Sequence, residues 1–311
     1  KIPLILLFLL LHLSSSLEAQ WCCGRLTLPT GALQQRPMSA GQYDIRVFYE
    51  FGRLDRTILG KEIVEDALQR SNNTQIVNTS ISYGLTSDLT LTLLIPYKWT
   101  RLSLLNGLVI RRTSGIGDIA GIMKYRLLRP ISPYRPEVAI GLGWKFPSGE
   151  YAARDDFGTL SVSQQVGSGA SDFLLASYYN QAFGPVVAYS SQILRITGRN
   201  DRSYRFGNEF QYEGGLLLPM IFTTITPLVG IQGRISGRDS FDGPPQDPYG
   251  GGSARDSGGH WIYALSSLEV RNLLGMSFQV SVSLPIYQRV NGLQIADSIT
   301  WQIGAAYNGF I

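Results

Sequence analysis

Ionisable side chains occupy one parity of several short alternating segments, and apolar side chains occupy the other parity. In residues 43–51, Asp44, Arg46 and Glu50 alternate with aromatic and β-branched residues. Because successive side chains of a strand point to opposite faces, the charges share one face. Further strands are predicted to carry inward-facing charges at Lys124, Arg126, Glu137, Lys145, Arg205, Glu209, Glu213 and Arg234. If these strands close into a barrel, the charges would line its narrow lumen. There they could select a solute, or they could pair with one another and make the wall of the barrel rigid.

The two cysteines of the chain, Cys22 and Cys23, are adjacent. A vicinal pair could close only a strained disulfide, and a soft-metal site would need further ligands. No such ligand lies nearby in the sequence. The pair is therefore a weak candidate for metal binding, and a tail of unknown use is the favoured interpretation.

A second candidate for chemistry is His260, which begins an alternating segment. Some outer-membrane barrels are hydrolases with a His/Ser pair at the rim, but the residues two and four positions beyond this histidine are Ile262 and Ala264. Ser266 and Ser267 lie deeper in the segment. A rim histidine without a catalytic partner is the favoured interpretation, so the sequence predicts no catalytic residue and no cofactor.

The side chains above would be positioned by twelve antiparallel strands. Alternating apolar and polar residues, bounded by clusters of Gly, Pro, Asp and Ser, indicate strands and turns. The predicted strands cover residues 43–51, 77–85, 89–97, 119–127, 138–146, 172–182, 186–197, 204–216, 225–235, 261–270, 276–286 and 298–310. Both parities of the sixth and seventh segments are apolar, so no facing is predicted for them.

The lengths of the connections indicate which barrel these strands form. Connections are long after the first, third, fifth and ninth strands and short after the second, sixth and tenth, as in outer-membrane barrels with tight periplasmic turns and longer outer loops. The predicted fold class is therefore all-β, a transmembrane antiparallel up-and-down β-barrel of about 12 strands, with both ends of the mature chain in the periplasm. A secreted β-sandwich or a soluble barrel is the alternative.

The amino-terminal residues 1–19 resemble a secretory signal peptide. An apolar run from Ile2 to Leu13 follows Lys1, and small residues up to Ala19 suggest a cleavage site. The run is shorter than the ~18 residues of a membrane-spanning helix. Residues 20–41 are predicted to form a periplasmic segment, and residues 42–311 a barrel in the outer membrane of a Gram-negative bacterium.

Composition is consistent with a membrane barrel. The 311 residues include 34 glycines and 16 tyrosines but only 16% charged residues, which suits tight turns and aromatic girdles. The formal net charge of +4 is scattered along the chain, so nucleic acid is not an expected partner. The expected partners are outer-membrane lipid and a small-molecule solute, and the barrel is expected to be a monomer.

Several turn and strand-end motifs, in this order, resemble the outer-membrane barrel family named for a meta-pathway of phenol degradation and often called simply transporters. The motifs are YGLTSDL at 83–89, LIPY at 94–97, GIGDI at 115–119, KYRL at 124–127, KFPSGE at 145–150, GSG at 167–169 with Asp172, and YRFGNE at 204–209. The resemblance covers roughly Gln42 to the end. It implies an outer-membrane barrel that passes small aromatic or hydrophobic molecules, without specifying phenol.

Three functions are therefore considered. The first is passive passage of a small, hydrophobic or aromatic solute through the barrel. The second is a non-conducting barrel that binds a partner through its outer loops or its Cys22–Cys23 segment. The third and least favoured is a rim hydrolase that depends on His260.

Overall fold

Twelve antiparallel strands form a closed barrel in the computed structural model, which describes residues 37–311 except 131, 133, 219–223, 245–246, 248, 250–253 and 274. The strands are β1 (Gln42–Leu59), β2 (Ser71–Gly84), β3 (Leu89–Leu104), β4 (Ala120–Leu128), β5 (Glu137–Lys145), β6 (Asp172–Phe183), β7 (Val186–Thr197), β8 (Glu209–Leu217), β9 (Ile225–Ser236), β10 (Gly259–Leu273), β11 (Met276–Val290) and β12 (Leu293–Phe310). Each strand pairs with the next, and β12 pairs with β1. The predicted all-β barrel is confirmed.

The two ends of the barrel differ, and we name them by their connections. At the turn end lie Gln42 and Phe310, which are register partners, together with the short connections such as 85–88 and 184–185. At the loop end lie the long connections, of which 146–171, 198–208 and 237–258 carry most of the argument below. The wall is also extended at the loop end, where Val109–Ile116 turns back and pairs with β3.

The faces of the wall are inverted relative to those of a water-soluble barrel. On β2, Asn72, Thr74 and Asn78 are buried, whereas Ile81 and Tyr83 are exposed on the other face. The same contrast recurs on β1 and β3. An apolar outer face and a polar inner face are what a barrel surrounded by lipid requires, because its outer side chains meet hydrocarbon.

The described residues contain no helix that is long and apolar enough to cross a membrane.

Several predicted strand bounds were too short or misplaced. The first strand continues beyond residue 51 to Leu59, and the third continues to Leu104. The eighth begins at Glu209 rather than at Tyr204, because the chain leaves the wall at Gly207. A Cβ atom at Gly207 would lie 2.1 Å from the carbonyl oxygen of Gly237, so only a glycine permits this close approach of two loops.

The structure also shows how the sixth and seventh strands face. Leu174 and Tyr178 on β6, and Ile193 and Arg195 on β7, are buried inside the barrel. Both parities of these strands are apolar because one face meets lipid and the other contributes to an apolar part of the lumen. Alternation could not separate the two faces for that reason.

Candidate functional site

The lumen at the turn end is lined by paired charges from β1, β4 and β5. Nε of Arg46 lies 2.8 Å from Oδ1 of Asp44, and Nε of Arg126 lies 2.8 Å from Oε1 of Glu137. Lys124, two residues from Arg126 along β4, is buried beside them. Five of the predicted inward charges therefore meet in one region, which we call the turn-end cluster.

The chain enters the lumen at this cluster before β1 begins. Met38 is buried, and its backbone N–H donates a 2.8 Å hydrogen bond to the hydroxyl of Thr90 on β3. The guanidinium of Arg126 donates to the carbonyl oxygen of Pro37. Residues 37–38 thus occupy part of the turn-end opening.

Above the turn-end cluster, the lumen is lined by apolar side chains from β3 to β7. Leu94, Ile122, Leu174 and Ile193 form one buried cluster with Ala120, and Ala176 packs against it. Large aliphatic side chains here face small ones on β5 and β6, which leaves space between them. This apolar layer was not predicted, because both parities of β6 and β7 are apolar and no facing was predicted for these strands.

A cavity lies in this layer, and we call it the lumenal pocket. Its walls include Leu94, Ile122, Ala139, Tyr178 and Ile193, with Thr92 and Lys124 at its polar side. Its volume is about 20 Å³, room for about one water molecule. A solute larger than water could occupy the pocket only if neighbouring side chains moved.

A belt of alternating charges crosses the loop end of the wall from β4 to β9. Lys145 lies between Asp118 and Asp172, with N–O distances of 2.6 and 3.2 Å. Arg195 lies 3.8 Å from both Asp172 and Glu209. Glu209 also pairs with Arg234 at 3.5 Å, and the guanidinium of Arg234 lies over the ring of Trp261, 3.9 Å from its centroid. We call these charges the loop-end belt; its members are Asp118, Lys145, Asp172, Arg195, Glu209 and Arg234.

The loop-end belt holds a piece of the 146–171 connection inside the barrel. Residues 160–168 are buried throughout, and we call them the inserted segment. The carboxylate of Asp118 accepts hydrogen bonds from the backbone N–H of Ser168 at 2.9 Å and from that of Gly149 at 3.1 Å. From β3, the ammonium of Lys98 donates to the carbonyl oxygen of Gln165 at 2.9 Å. Charges of the wall thus satisfy polar backbone groups that would otherwise be buried without partners.

Above the inserted segment, three loops share a small apolar core. Val162, Tyr204, Phe206, Tyr249 and Ala254 form one buried cluster that draws on the connections after β5, β7 and β9. The rings of Tyr204 and Tyr249 meet edge to face, with centroids 5.8 Å apart. We call this arrangement the loop cap. Tyr204 and Phe206, expected to face outward from a strand, belong to it.

Arg205 does not line the lumen. It lies in a two-residue strand, Tyr204–Arg205, that pairs with Ser240–Phe241 outside the wall, and its side chain is exposed with Nε donating to the carbonyl oxygen of Thr197 at 3.1 Å. Its placement was wrong because the alternating pattern was read through Gly207, where the wall is interrupted.

The remaining predicted inward charges are buried on the inner face. Glu50 is buried on β1, and Glu213 on β8 accepts a 2.7 Å hydrogen bond from the hydroxyl of Tyr189. Of the charges in the loop-end belt, Asp118, Asp172 and Arg195 were not selected as lumen-lining residues from the sequence. Arg195 stands between Leu194 and Ile196, and a single charge between two apolar residues was a signal for the facing of β7.

His260 lies on the outer face of the barrel among aromatic residues. Its Nε2 lies 3.2 Å from the hydroxyl of Tyr212, and its ring meets that of Tyr287 edge to face at 5.3 Å. This environment gives no support to a rim hydrolase. Cys22 and Cys23, the predicted signal peptide and most of the predicted 20–41 segment lie outside the described residues.

Comparison with known proteins bears on the fold. No family model matches the chain, and no curated protein matches it. The crystal structure of the COG4313 outer membrane channel from Pseudomonas putida F1 superposes with a TM-score of 0.67 at 16% identity, over 91% of this chain and 100% of that chain.

Two further barrels are more distant. The translocator domain of the autotransporter NalP from Neisseria meningitidis has a TM-score of 0.45 at 9% identity, over 87% of this chain and 89% of that chain. A deletion mutant of TodX, a monoaromatic hydrocarbon channel, has a TM-score of 0.44 at 9% identity, over 96% and 98%. Scores this low carry no argument, whereas the first similarity supports the barrel fold described above. The chain therefore has the fold of an outer-membrane β-barrel.

Proposed function

We propose that the protein is an outer-membrane channel through which a small apolar or aromatic solute crosses passively. The observation that carries this proposal is the apolar layer that surrounds the lumenal pocket. This layer lies inside the barrel, between the turn-end cluster and the loop-end belt. A water-filled pore for ions or sugars gains nothing from a buried lumenal layer of Leu94, Ile122 and Ile193. An apolar solute gains free energy by leaving water for such a layer.

The residues of the lumenal pocket suggest how a solute would be held. Tyr178 offers an aromatic face, and Ala139 and Ala176 beside it are small, so a ring could be accommodated there once neighbouring side chains move. Lys124 stands at the polar side of the pocket and would favour a solute that carries a hydroxyl or an acid group. The proposed orientation places the turn end in the periplasm and the loop end outside, as the lengths of the connections favour.

Filling the lumenal pocket tests this proposal. Apolar molecules cross a phospholipid bilayer without a protein. Uptake of the fluorescent probe N-phenylnaphthylamine is therefore measured in intact cells, whose outer lipopolysaccharide leaflet slows this direct crossing. The protein is expected to raise uptake, and Ala176→Phe is expected to return uptake to the level of cells without the protein. Leu175→Phe, one residue away on the outer parity of β6, is the matched control and is expected to leave uptake unchanged.

Folding is checked for both variants by the heat-dependent shift of the barrel on an SDS gel. Equal uptake with and without folded protein would overturn the proposed function. Equal uptake by folded Ala176→Phe and wild type would show that a solute does not use the lumenal pocket.

The alternative of a non-conducting barrel is favoured by a specific observation, the inserted segment and loop cap that fill the loop end. Single-channel recording in planar bilayers separates the two functions. Stepwise currents through the full chain would show a continuous water path. Silence together with solute uptake would indicate transfer without a water path, and silence without uptake would favour a binding role for the loop cap.

A further inference from the structure

The wall of the barrel is not paired along its whole height between β11 and β12. Their register begins at Met276 and Tyr307 and ends at Ser283 and Thr300. Beyond this point, β11 keeps its partners on β10 as far as Val290, and β12 keeps its partners on β1 down to Leu293. The two strands therefore separate toward the loop end, and we call the interval between them the seam.

The ends of β1 and β12 turn into the barrel beside the seam. Two register shifts, at residues 52–54 and 54–56 of β1, interrupt the pairing of these strands, and such bulges bend a strand. Ile58 and Ala296, which follow the shifts, form one buried cluster with Trp261, Tyr263 and Val290 of β10 and β11. The edges of the wall thus overlap, with β1 and β12 inside β10 and β11.

A single side chain bridges the seam in place of a strand ladder. The amide of Gln288 donates to the carbonyl oxygen of Asp297 at 2.8 Å and accepts from the N–H of the same residue at 3.1 Å. The hydroxyl of Tyr263 also bonds to the Asp297 carboxylate. On β11, Pro285 lacks an N–H group, which suits a strand edge without a partner.

A cleft of about 180 Å³ lies at the seam, and its lining includes Ile58, Ile63, Pro285, Ile286 and Ala296. Ile63 and Ile286 are 67% and 62% exposed, respectively, so the mouth of the cleft opens on the apolar outer face of the barrel. Its inner side is Ile58 and Ala296, which contact the lumen-facing cluster of Trp261 and Tyr263. Among the described residues, that apolar contact, the Gln288 bridge and the Tyr263–Asp297 hydrogen bond lie between the cleft and the lumen.

We propose that the seam is a side passage through which a small apolar solute moves between the lumen and the surrounding lipid. The proposal rests on the function proposed above and adds its route. An apolar solute would enter along the aliphatic side of the cleft, whose other side carries Arg56, Lys61 and Gln288. It would pass where the two hydrogen bonds of Gln288, rather than a backbone ladder, join β11 to β12. The loop cap makes a direct route through the loop end less open, which favours a route through the wall.

Bridging the seam covalently tests this passage. In a Cys22→Ser, Cys23→Ser background, Tyr287→Cys and Ala296→Cys place one thiol on each side of the cleft. A short bis-methanethiosulfonate reagent then joins them and is removed by reductant. Bridging is expected to abolish the uptake of N-phenylnaphthylamine by intact cells, and reduction is expected to restore it.

The matched control is a bridge between the same strands where their register is complete. Val280 and Ile303 are partners and both face outward. Bridging Val280→Cys with Ile303→Cys is expected to leave uptake unchanged. Unchanged uptake in the bridged 287–296 variant would overturn the side passage while leaving the proposed function in place if Ala176→Phe still abolishes uptake. Absence of uptake by the wild-type protein would overturn both.

The bridge formed by Gln288 gives a second test that needs no reagent. Gln288→Ala removes two hydrogen bonds and is expected to raise uptake by up to about thirtyfold, which corresponds to about 1 kcal/mol for each net hydrogen bond. Gln279→Ala, on the same strand within the complete register, is the control and is expected to have no effect. Equal uptake in both variants would contradict a seam that opens.

Discussion

The carboxylate of Asp172 lies 3.2 Å from the ammonium of Lys145, and both side chains are almost entirely buried. Asp172 also lies 3.8 Å from Arg195 and accepts a 3.0 Å hydrogen bond from the N–H of Gly198. One carboxylate therefore joins three consecutive strands and the loop that follows them.

Replacing this carboxylate is expected to destabilise the barrel strongly. Asp172→Asn leaves two buried cations facing each other without their shared anion, and removing one partner of a buried pair costs about 3–5 kcal/mol. Asp55→Asn removes the partner of Arg53, an exposed arginine whose Nε lies 3.1 Å from the carboxylate. This change is expected to lower the free energy of unfolding by no more than about 1 kcal/mol. Urea unfolding in lipid vesicles measures both free energies. Equal small losses would show that the belt is not structural.

The inserted connection is expected to loosen in acid through a pair that lies outside the wall. Arg111 donates hydrogen bonds of 2.7 Å to both oxygens of Asp155 and holds the pKa of that carboxyl below its usual range. A lowered folded pKa means that the pair stabilises the fold above the unfolded pKa of about 3.9, and that this contribution is lost as the pH falls through the folded pKa.

A spin label at position 157, beside Asp155, reports this change. Its mobility is expected to rise as the pH falls below about 4, since the usual Asp pKa lies there. Asp155→Asn is expected to be mobile at neutral pH and to show no acid step. The same acid step in the variant would assign it to another group.

Close packing of two glycines is expected to keep the inserted segment in place. A Cβ atom at Gly167 would lie 2.3 Å from the carbonyl oxygen of Gly149. Gly167→Ala should therefore displace the segment and enlarge the ion conductance of the barrel in planar bilayers. Gly121→Ala, whose Cβ would meet no atom within 4 Å, is expected to conduct like the wild type. Equal currents through the Gly167→Ala and Gly121→Ala variants would show that the inserted segment does not limit ion conduction.

A charge placed on the apolar outer face is expected to destabilise the barrel more strongly the deeper in the membrane it lies. Ile231 lies in the middle of β9 and is 49% exposed. Ile231→Arg is expected to reduce the free energy of unfolding in lipid by about 2–4 kcal/mol if this position lies near the bilayer centre. Leu108→Arg, 85% exposed in the loop-end hairpin, should change it little. A similar small loss in both would argue against a lipid environment for β9.

The charge of Lys124 is expected to influence any ions that pass the lumen. Lys124→Gln removes a cation from the side of the lumenal pocket and should shift the reversal potential toward cation preference. Arg205→Gln removes a cation that lies outside the lumen and is expected to leave the potential unchanged. A shift of equal size in both would point to the general charge of the protein rather than to its lumen.

The alternation of polar and apolar residues identified the strands of the wall, because one face of the wall meets lipid and the other lines the lumen. From Val77 to Tyr83 on β2 the inner parity is polar and the outer parity is largely apolar, and there the predicted strand agrees with the structure. The method stopped at β6 and β7, where Leu174 and Ile193 bring apolar residues inside. It went wrong at Arg205, where a loop happened to continue the pattern of the strand that follows it.

The inserted segment could not have been found from local sequence. Residues 160–168 have no strand or helix periodicity, and their burial depends on partners that are distant in the chain, including Lys98 and Asp118. The seam was equally hidden, because β11 and β12 alternate as though they were paired throughout. Both features arise from tertiary contacts that override local pattern.

The pairing of β1 with β12 also sets the order in which the barrel can be made. Gln42 meets Phe310, so the first strand waits for the last residues of the chain before its second edge is covered. Contacts between such distant parts of a sequence form slowly, because a long loop must close before they contribute. Until that moment the first strand presents an open edge, and its protection during synthesis and export is a requirement that the mature barrel no longer displays.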